Sequence, residues 1–564
     1  DWNNIPNREN AGHIYENNRL RGDLDFTYVA PANNLKLGRL VSDNGDRTIS
    51  NVSLSGQDMH LISRLNSGIW GIDFENCSLV SNNVGCIGLV GVSNGTLIDC
   101  NFNNITITPQ TNDKDEIGII GHSNGGTFEN ITLTNITIDD KKSNNDYVGS
   151  LAGKVQDGST FTNITGTNLS VKGSGAYVGG IVGYIENGKV SDISIIDCIV
   201  TASGNYAGGV AGLIGSSTIA NVNVIKNIEV IGTPTYDDEG NIIDSTTKIT
   251  GNSVVGGTVG AMNEKVGTAY SPSLQEPNAY VDGVIVCGLQ NLGGAFGTSS
   301  TALYHITVKN SLIQSRENWV KATSTYYHAG GIVGQTTWST TRALLAENVT
   351  IDVTNIHNVG GLIGMDRYAT MQHSYVKDCV INAKMASGYS GTLTNVGGIT
   401  GRYENTMYYC GVINTVINAL DYNNVGGITG MLSETLACNH YIGSCFYLAS
   451  YDEVEEAEFL SGGLDRYTAA SIDDYYIKGK TNVGGLVGKQ NSGCVFQSYS
   501  NANVIAADKQ IAGGVSGMYC NEYTTSISNG KTYYTYSVAG MYRNYFAGTV
   551  TAKDGYAGGI IGRT

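Results

Sequence analysis

Read as apolar and polar positions, the chain runs in short alternating stretches. FENITLTNITI at 128–138 and VSDISIIDCIV at 190–200 place Phe, Val, Leu or Ile every second or third residue, with Ser, Thr, Asn or Asp between them. Runs of this kind, rich in β-branched residues, are strand signals. SNG, ENG and NSG clusters separate them and supply turn chemistry. A denser apolar phrase bracketed by glycine, YVGGIVG at 177–183, precedes these runs and returns along the chain.

The phrase ends at Gly153, Gly183, Gly212, Gly260, Gly297, Gly334, Gly364, Gly401, Gly430, Gly488, Gly517 and Gly562, with looser forms ending at Gly91 and Gly121. Most steps between final glycines are 29–32 or 37 residues, and the longer ones are 45, 48 and 58. A unit near 30 residues with occasional insertions is a solenoid pattern. Propeller blades run about 40–50 residues, which makes a propeller the weaker reading. Within the phrase, Gly179, Gly180, Ile181 and Gly183 recur as Gly360, Gly361, Leu362 and Gly364, and as Gly484, Gly485, Leu486 and Gly488. The Ile181 position is nearly always aliphatic and reads as core. Val182 varies more, so the expectation is a half-buried strand with alternating faces. Glycine weakens strands, and its repetition implies a coil corner too narrow for a side chain.

The predicted fold is therefore all-β: an elongated parallel β-solenoid of about 14 coils near 30 residues each, stacked at about 4.8 Å. Residues 1–35 read as an N-terminal cap or docking segment, with Trp2 available to pack on the end coil or on a neighbour. Residues 36–564 read as solenoid with insertions near 213–252, 261–290, 431–480 and 518–555. DEVEEAEFL at 452–460 is the best helix candidate, capped by Ser450 or Asp452, and its glutamates read as a solvated face. The tyrosine-rich stretch supplies a candidate docking or sugar-stacking surface in Tyr533, Tyr534, Tyr536, Tyr542 and Tyr545, against the plainer reading of packing within an insertion. The chain stops at GIIGRT, directly after the last phrase. The expectation is that the native chain continues or that another molecule completes that coil.

Composition narrows the function classes. Thirty-three Lys and Arg against 49 Asp and Glu give a net charge of −16. With no basic stripe interleaved with aromatics, nucleic-acid binding is not expected. No run of 18 apolar residues exists, so no membrane span is expected. The absence of an initial Met or leader fits a mature secreted protein or a fragment. Eleven cysteines cannot all pair. Cys198, Cys379 and Cys445 share a register several coils apart and read as buried free thiols, whereas Cys438 and Cys445 are close enough in sequence to pair.

Candidate chemistry is thin. GVSNG at 91–95 and GHSNG at 121–125 match G-x-S-x-G, but a nucleophile elbow occurs once, and these fall twice on an expected turn. GYIENGKV at 183–190 approaches a P-loop, yet Val190 stands where Ser or Thr would hold Mg²⁺. Cys438, His440 and Cys445 supply three zinc-ligand types without a fourth. Asp237, Asp238, Glu239 and Asn241 share one loop, as do Asp113, Asp115 and Glu116. Both are weak Ca²⁺ candidates, and a solvated acidic turn is the favoured reading. No other metal or cofactor is expected. Asp366 with Arg367, and Asp465 with Arg466, are the only hints of a β-helix polysaccharide enzyme. Adjacent residues point to opposite strand faces, so both pairs read as ordinary surface charge.

The phrase V-G-G-[ILV]-x-G resembles the GLUG repeat of bacterial surface proteins, over about 84–564. Such repeats also stand upstream of the protease domain in IgA-specific zinc metallopeptidases. The segments 18–29, 45–56 and 61–79 look like the first coil of those regions. The resemblance implies a β-solenoid on an extracellular or cell-surface protein. H-E-x-x-H is absent from this chain, so the metallopeptidase chemistry does not carry over. The expected function is a non-catalytic structural or adhesive surface protein that self-assembles end to end as a homo-oligomer or filament, or binds a glycan or host surface. The alternatives are the stalk of a larger secreted enzyme and, less favoured, a polysaccharide lyase or hydrolase.

Overall fold

The seven-residue phrase folds as two short strands with a corner between them. In the computed structural model, Tyr177–Gly179 and Val182–Ile185 are strands, and residues 180–181 form the bend. A 15-residue strand, Gly188–Ala202, completes the coil and is itself bent at Asp192 and Asp197, each with φ of 56°. Described residues run from 18 to 564, apart from 22, 28–33, 43–46, 58, 83–84, 111–114, 141–146, 157, 187, 216–223, 264, 267–277, 317–326, 338–339, 390–391, 393, 434–440, 449–474, 508, 521–522, 529–530 and 537–538.

Each strand lies parallel to its equivalent in the next coil, residue over residue. Phe161 sits opposite Val190, Ile164 opposite Ile193 and Leu169 opposite Cys198. The chain forms two compact units, residues 1–288 with 295–298, and residues 289–294 with 299–564. In the first, the phrase strands Cys86–Ile87, Glu116–Ile117, Tyr147–Gly149, Tyr177–Gly179, Tyr206–Gly208 and Val254–Gly256 stack as one parallel ladder. In the second, Asn291–Gly293 begins a ladder that proceeds through His328–Gly330, Asn358–Gly360, Asn395–Gly397, Asn424–Gly426, Asn482–Gly484 and Ile511–Gly513 to Tyr556–Gly558. Each unit is a parallel β-solenoid, and no helix occurs among the described residues. The insertions near 213–252 and 518–555 hold antiparallel hairpins, Pro234–Tyr236 with Ile242–Ser245 and Tyr523–Ser528 with Lys531–Tyr536. Of the proposed N-terminal cap, Asn18–Leu20 and Leu24–Asp25 are already parallel strands of the solenoid. Trp2 and the helix candidate 452–460 lie outside the described residues.

The core is a set of columns. Phe128 stacks on Phe161 with centroids 4.6 Å apart, and Phe74 on Phe102 at 5.2 Å. Ile181, Leu362 and Leu486 are buried, as expected of that phrase position. Burying each such side chain contributes about 1.5–3 kcal/mol. Val182 departs from the expected alternation, because it is buried beside Ile181. The corner at 180–181 ends one strand before Val182 opens the next, so the alternation restarts there.

The glycines are required by crowding. A Cβ on Gly179 would overlap the Val182 carbonyl, one on Gly180 the Gly209 carbonyl, and one on Gly183 the Val148 nitrogen. Gly360, Gly361 and Gly364 meet backbone in the same way, as do Gly484, Gly485 and Gly488. None of these glycines has φ in the left-handed region. The corner is narrow because neighbouring coils touch backbone to backbone.

Many left-handed corners fall on Asn and Asp, the residues that tolerate that conformation best, although in the second unit His305, Ala343, Tyr409 and Gln497 also take it. Asn130 and Asn163 form one column, and Asn135 and Asn168 another, all with φ near 54°. Asn163 Nδ2 donates to Asn130 Oδ1 at 2.8 Å, and Asn168 Nδ2 to Asn135 Oδ1 at 2.6 Å.

Candidate functional site

Stacked coils convert any one position of the phrase into a column of side chains. The first phrase residue and the third residue of the following strand generate two such columns, and they meet on one face. In the first unit this face is aromatic. Tyr147 and Tyr177 stack at 5.1 Å and Tyr177 and Tyr206 at 5.0 Å, with ring planes 3° and 2° apart. Tyr184, from the second column, leans against Tyr177 at 5.6 Å. All three rings of the stack are half-buried. At its end His122 Nδ1 lies 2.9 Å from Glu116 Oε2, and Lys154 Nζ lies 4.0 Å from Glu116 Oε1. The Glu116 hydrogen bond pushes the His122 pKa above its ordinary value.

In the second unit the first column becomes amide. Asn395 Nδ2 donates to Asn358 Oδ1 at 2.7 Å, Asn424 Nδ2 to Asn395 Oδ1 at 2.8 Å, and Asn482 Nδ2 to Asn424 Oδ1 at 2.8 Å. At the other end Asn358 Nδ2 lies 2.9 Å from His328 Nδ1. With the amide as donor, that ring nitrogen accepts and the imidazole is neutral. Burial pushes the His328 pKa down to about 3, helped by the positive charges of Arg402 and Arg367. The ladder ends on unpartnered oxygens, because neither Asn291 Oδ1 nor Asn482 Oδ1 has a hydrogen bond although both are buried.

A cleft of about 390 Å³ lies between this amide column and the second column, which reads Met365, Arg402 and Met431 in successive coils. Arg367 also lines it. Glu404, fully buried, ties the two arginines together. Arg402 Nη2 is 2.6 Å from Glu404 Oε1, and Arg367 Nε is 3.5 Å from Glu404 Oε2. Arg402 Nε is shielded from solvent and has no partner. Asp366 does not behave as the surface charge expected of it. It is fully buried on the strand face opposite Arg367 and accepts from the Thr336 hydroxyl at 2.8 Å. Burial, reinforced by the Glu404 carboxylate, pushes its pKa up to about 8. Neither carboxylate is exposed, so neither can touch a ligand in the cleft.

The other sequence candidates scatter. Tyr542 and Tyr545 are 59% and 58% exposed, Tyr545 stacks on Tyr499 at 5.5 Å, and Arg543 covers the Tyr542 ring at 4.9 Å. Tyr533, Tyr534 and Tyr536 lie on the hairpin strand Lys531–Tyr536, and their side chains are outside the described part. The loop of Asp237, Asp238, Glu239 and Asn241 is the tip of the other hairpin. Asp237 Oδ1 accepts from the Asn241 and Glu239 amides at 2.7 and 3.1 Å, so this carboxylate closes the turn. Asp115 accepts from the Gly85 amide at 2.7 Å. Among the described residues no three His, Cys, Asp or Glu side chains converge as a metal site. Ser93 and Ser123 are buried at the ends of the strands Val90–Ser93 and Ile120–Ser123. Ser123 Oγ donates to the Gly125 carbonyl at 2.8 Å, and Ser93 Oγ accepts from the Gly95 amide at 3.2 Å. GYIENGKV lies across the strands Val182–Ile185 and Gly188–Ala202, with no helix to receive a phosphate. Cys198, Cys379 and Cys445 are buried free thiols; Cys438 and His440 fall outside the described residues, as do Asp465 and Arg466. Among the described residues no helix is long and apolar enough to cross a membrane.

The amide column was visible in the sequence as the first letter of NVGGLIG, NVGGITG and NVGGLVG. Its chemistry exists only when successive coils are in register, so no single phrase displays it.

Fold and face together define a parallel β-solenoid repeat protein. No protein-family model, no curated protein and no solved structure matches the chain.

Proposed function

We propose that this chain is a non-catalytic, extracellular repeat protein of the GLUG type that acts by adhesion. The carrying observation is the engraved face: two strand positions, repeated coil after coil, give a tyrosine column in one unit and an amide-floored cleft in the other. The groups around the cleft suit holding a ligand better than transforming it. Glu404 is committed to two arginines, His328 is neutral, and Asp366 is sealed beneath the strand. Self-assembly is the second part of the reading. Coils pair strand over strand along each unit, and a strand edge that stays open templates further pairing.

Two measurements test this. Immobilised chain is exposed to host cells and to a panel of neutral and acidic glycans, and saturable binding without product formation is expected. Turnover of any glycan would overturn the non-catalytic reading, and binding to none of them would overturn adhesion. Negative-stain electron microscopy across a concentration series tests self-assembly. Filaments are expected at high concentration, and single particles throughout would end the fibre reading.

A further inference from the structure

We propose that the cleft of the second unit is a binding site for a sugar bearing one carboxylate, a uronate-type residue of an acidic glycan, with Arg402 as its anchor. This rests on the adhesive reading above and narrows it to one site and one ligand class.

Charge comes first. Two guanidinium groups, Arg367 and Arg402, share one carboxylate, Glu404, while Asp366 is sealed on the opposite strand face. One positive charge is left over. Arg402 Nε is a shielded donor with no acceptor, and guanidinium recognises carboxylate through paired N–H groups. The chain as a whole is at −16 and repels anions at long range. An anion held here is held by local contacts.

The floor supplies the rest. A primary amide offers two N–H donors and two acceptor sites. The ladder bonds of Asn395 use one of each, and so do those of Asn424, whereas Asn358 Oδ1 also accepts from the Thr394 hydroxyl at 3.5 Å. Asn395 and Asn424 each retain a donor and an acceptor, and adjacent hydroxyls on a sugar ring need that combination. Met365 and Met431 flank Arg402 in register. Their thioethers adapt to the apolar face of a ring. A volume of about 390 Å³ is at the small end of ligand pockets and suits one sugar residue with its linkages.

The test uses the full chain labelled with ¹³C at the methionine methyls, titrated with sodium glucuronate, glucose or glutarate. Met365 and Met431 are assigned through Met365→Leu and Met431→Leu. Glucuronate is expected to shift both methyls, and glucose and glutarate to bind at least tenfold more weakly. Arg402→Met, which copies its neighbours in the column, is expected to weaken glucuronate at least tenfold. If its thermal melt shows that loss of the Glu404 partner unfolds the site, the wild-type shifts still decide. Glucose binding as well as glucuronate would overturn carboxylate recognition. Glutarate binding as well would overturn the sugar class. Glucuronate that binds without moving either methyl, or does not bind, would overturn the site. In each of these cases, retained adhesion of the immobilised chain to cells keeps the broader reading, and lost adhesion removes both.

Discussion

Asn395 donates through Nδ2 to Asn358 Oδ1 at 2.7 Å, with both side chains buried. The bond ties one coil to the next through side chains, in addition to the backbone pairing of the same strands. Asn395→Leu removes a donor and an acceptor together, and leaves the Asn424 amide and the Asn358 oxygen short of partners. Leaving buried polar groups unpaired costs about 1–3 kcal/mol each, so a loss of about 2–4 kcal/mol is expected. Solenoid coils respond to their nearest neighbours. Faster hydrogen exchange across Asn395–Gly397 and Asn424–Gly426, with the first unit unchanged, is the measurement.

Gly361 and Gly166 meet different kinds of neighbour. A Cβ on Gly361 would overlap the Gly398 carbonyl, whereas one on Gly166 meets only side-chain carbons of Leu169 and Ile181, the nearest at 2.8 Å. Gly361→Ala is expected to cost about 3 kcal/mol or more, because only backbone movement relieves the overlap. Gly166→Ala is expected to cost about 1 kcal/mol, because those side chains can shift. Equal effects in denaturant melts would contradict the crowded-corner account.

Asp366 sets a pH dependence of unusual sign. Its folded pKa, about 8, lies above the ordinary 3.8 of an aspartate, so the folded chain holds a proton that the unfolded chain releases. Stability is then highest below about pH 4 for this group and is lost as pH rises toward 8. The neighbouring charge that reinforces burial is Glu404, while the Thr336 hydroxyl opposes it. Asp366→Asn keeps an acceptor for Thr336 and removes the titration. Thermal melts from pH 4 to 9 are expected to show a downward slope in the parent that is reduced in the variant.

His328 works in the other direction. Its folded pKa, about 3, lies below the ordinary 6.5, so acid protonates the unfolded chain first. Its contribution is complete above pH 6.5 and is lost as pH falls toward 3. His328→Asn continues the amide column, with an oxygen for Asn358 and an amide for the unpartnered Asn291 Oδ1. The variant is expected to be about 1 kcal/mol more stable at neutral pH and to lose the acid slope that His328 contributes. Melts at pH 4 and pH 7 check both.

How much of this was legible depended on whether a property belongs to one coil or to several. Strand type and the aliphatic core position of Ile181 and Leu362 are properties of a single coil, and the pattern carried them; the need for glycine at Gly180 comes from the Gly209 carbonyl of the next coil and was legible only through repetition. The cleft combines residues from successive coils, 29 to 37 positions apart, and it exists only in the register that sets Met365 beside Arg402. The burial of Val182 turned on where a corner falls, and that of Asp366 on which strand face turns inward. Asn130 and Asn135 are exposed, and nothing in one coil's sequence marks their left-handed corners beyond the five-residue spacing.

The tyrosine and asparagine columns occupy the same letter of the phrase. In this architecture a coil that is duplicated brings its surface with it. A single favourable residue then multiplies into a continuous strip without any change to the interior, and replacing that letter along a run of coils rewrites the strip. The outer lettering and the inner scaffold are inherited separately, and a lineage of such chains can change what it touches while keeping how it folds.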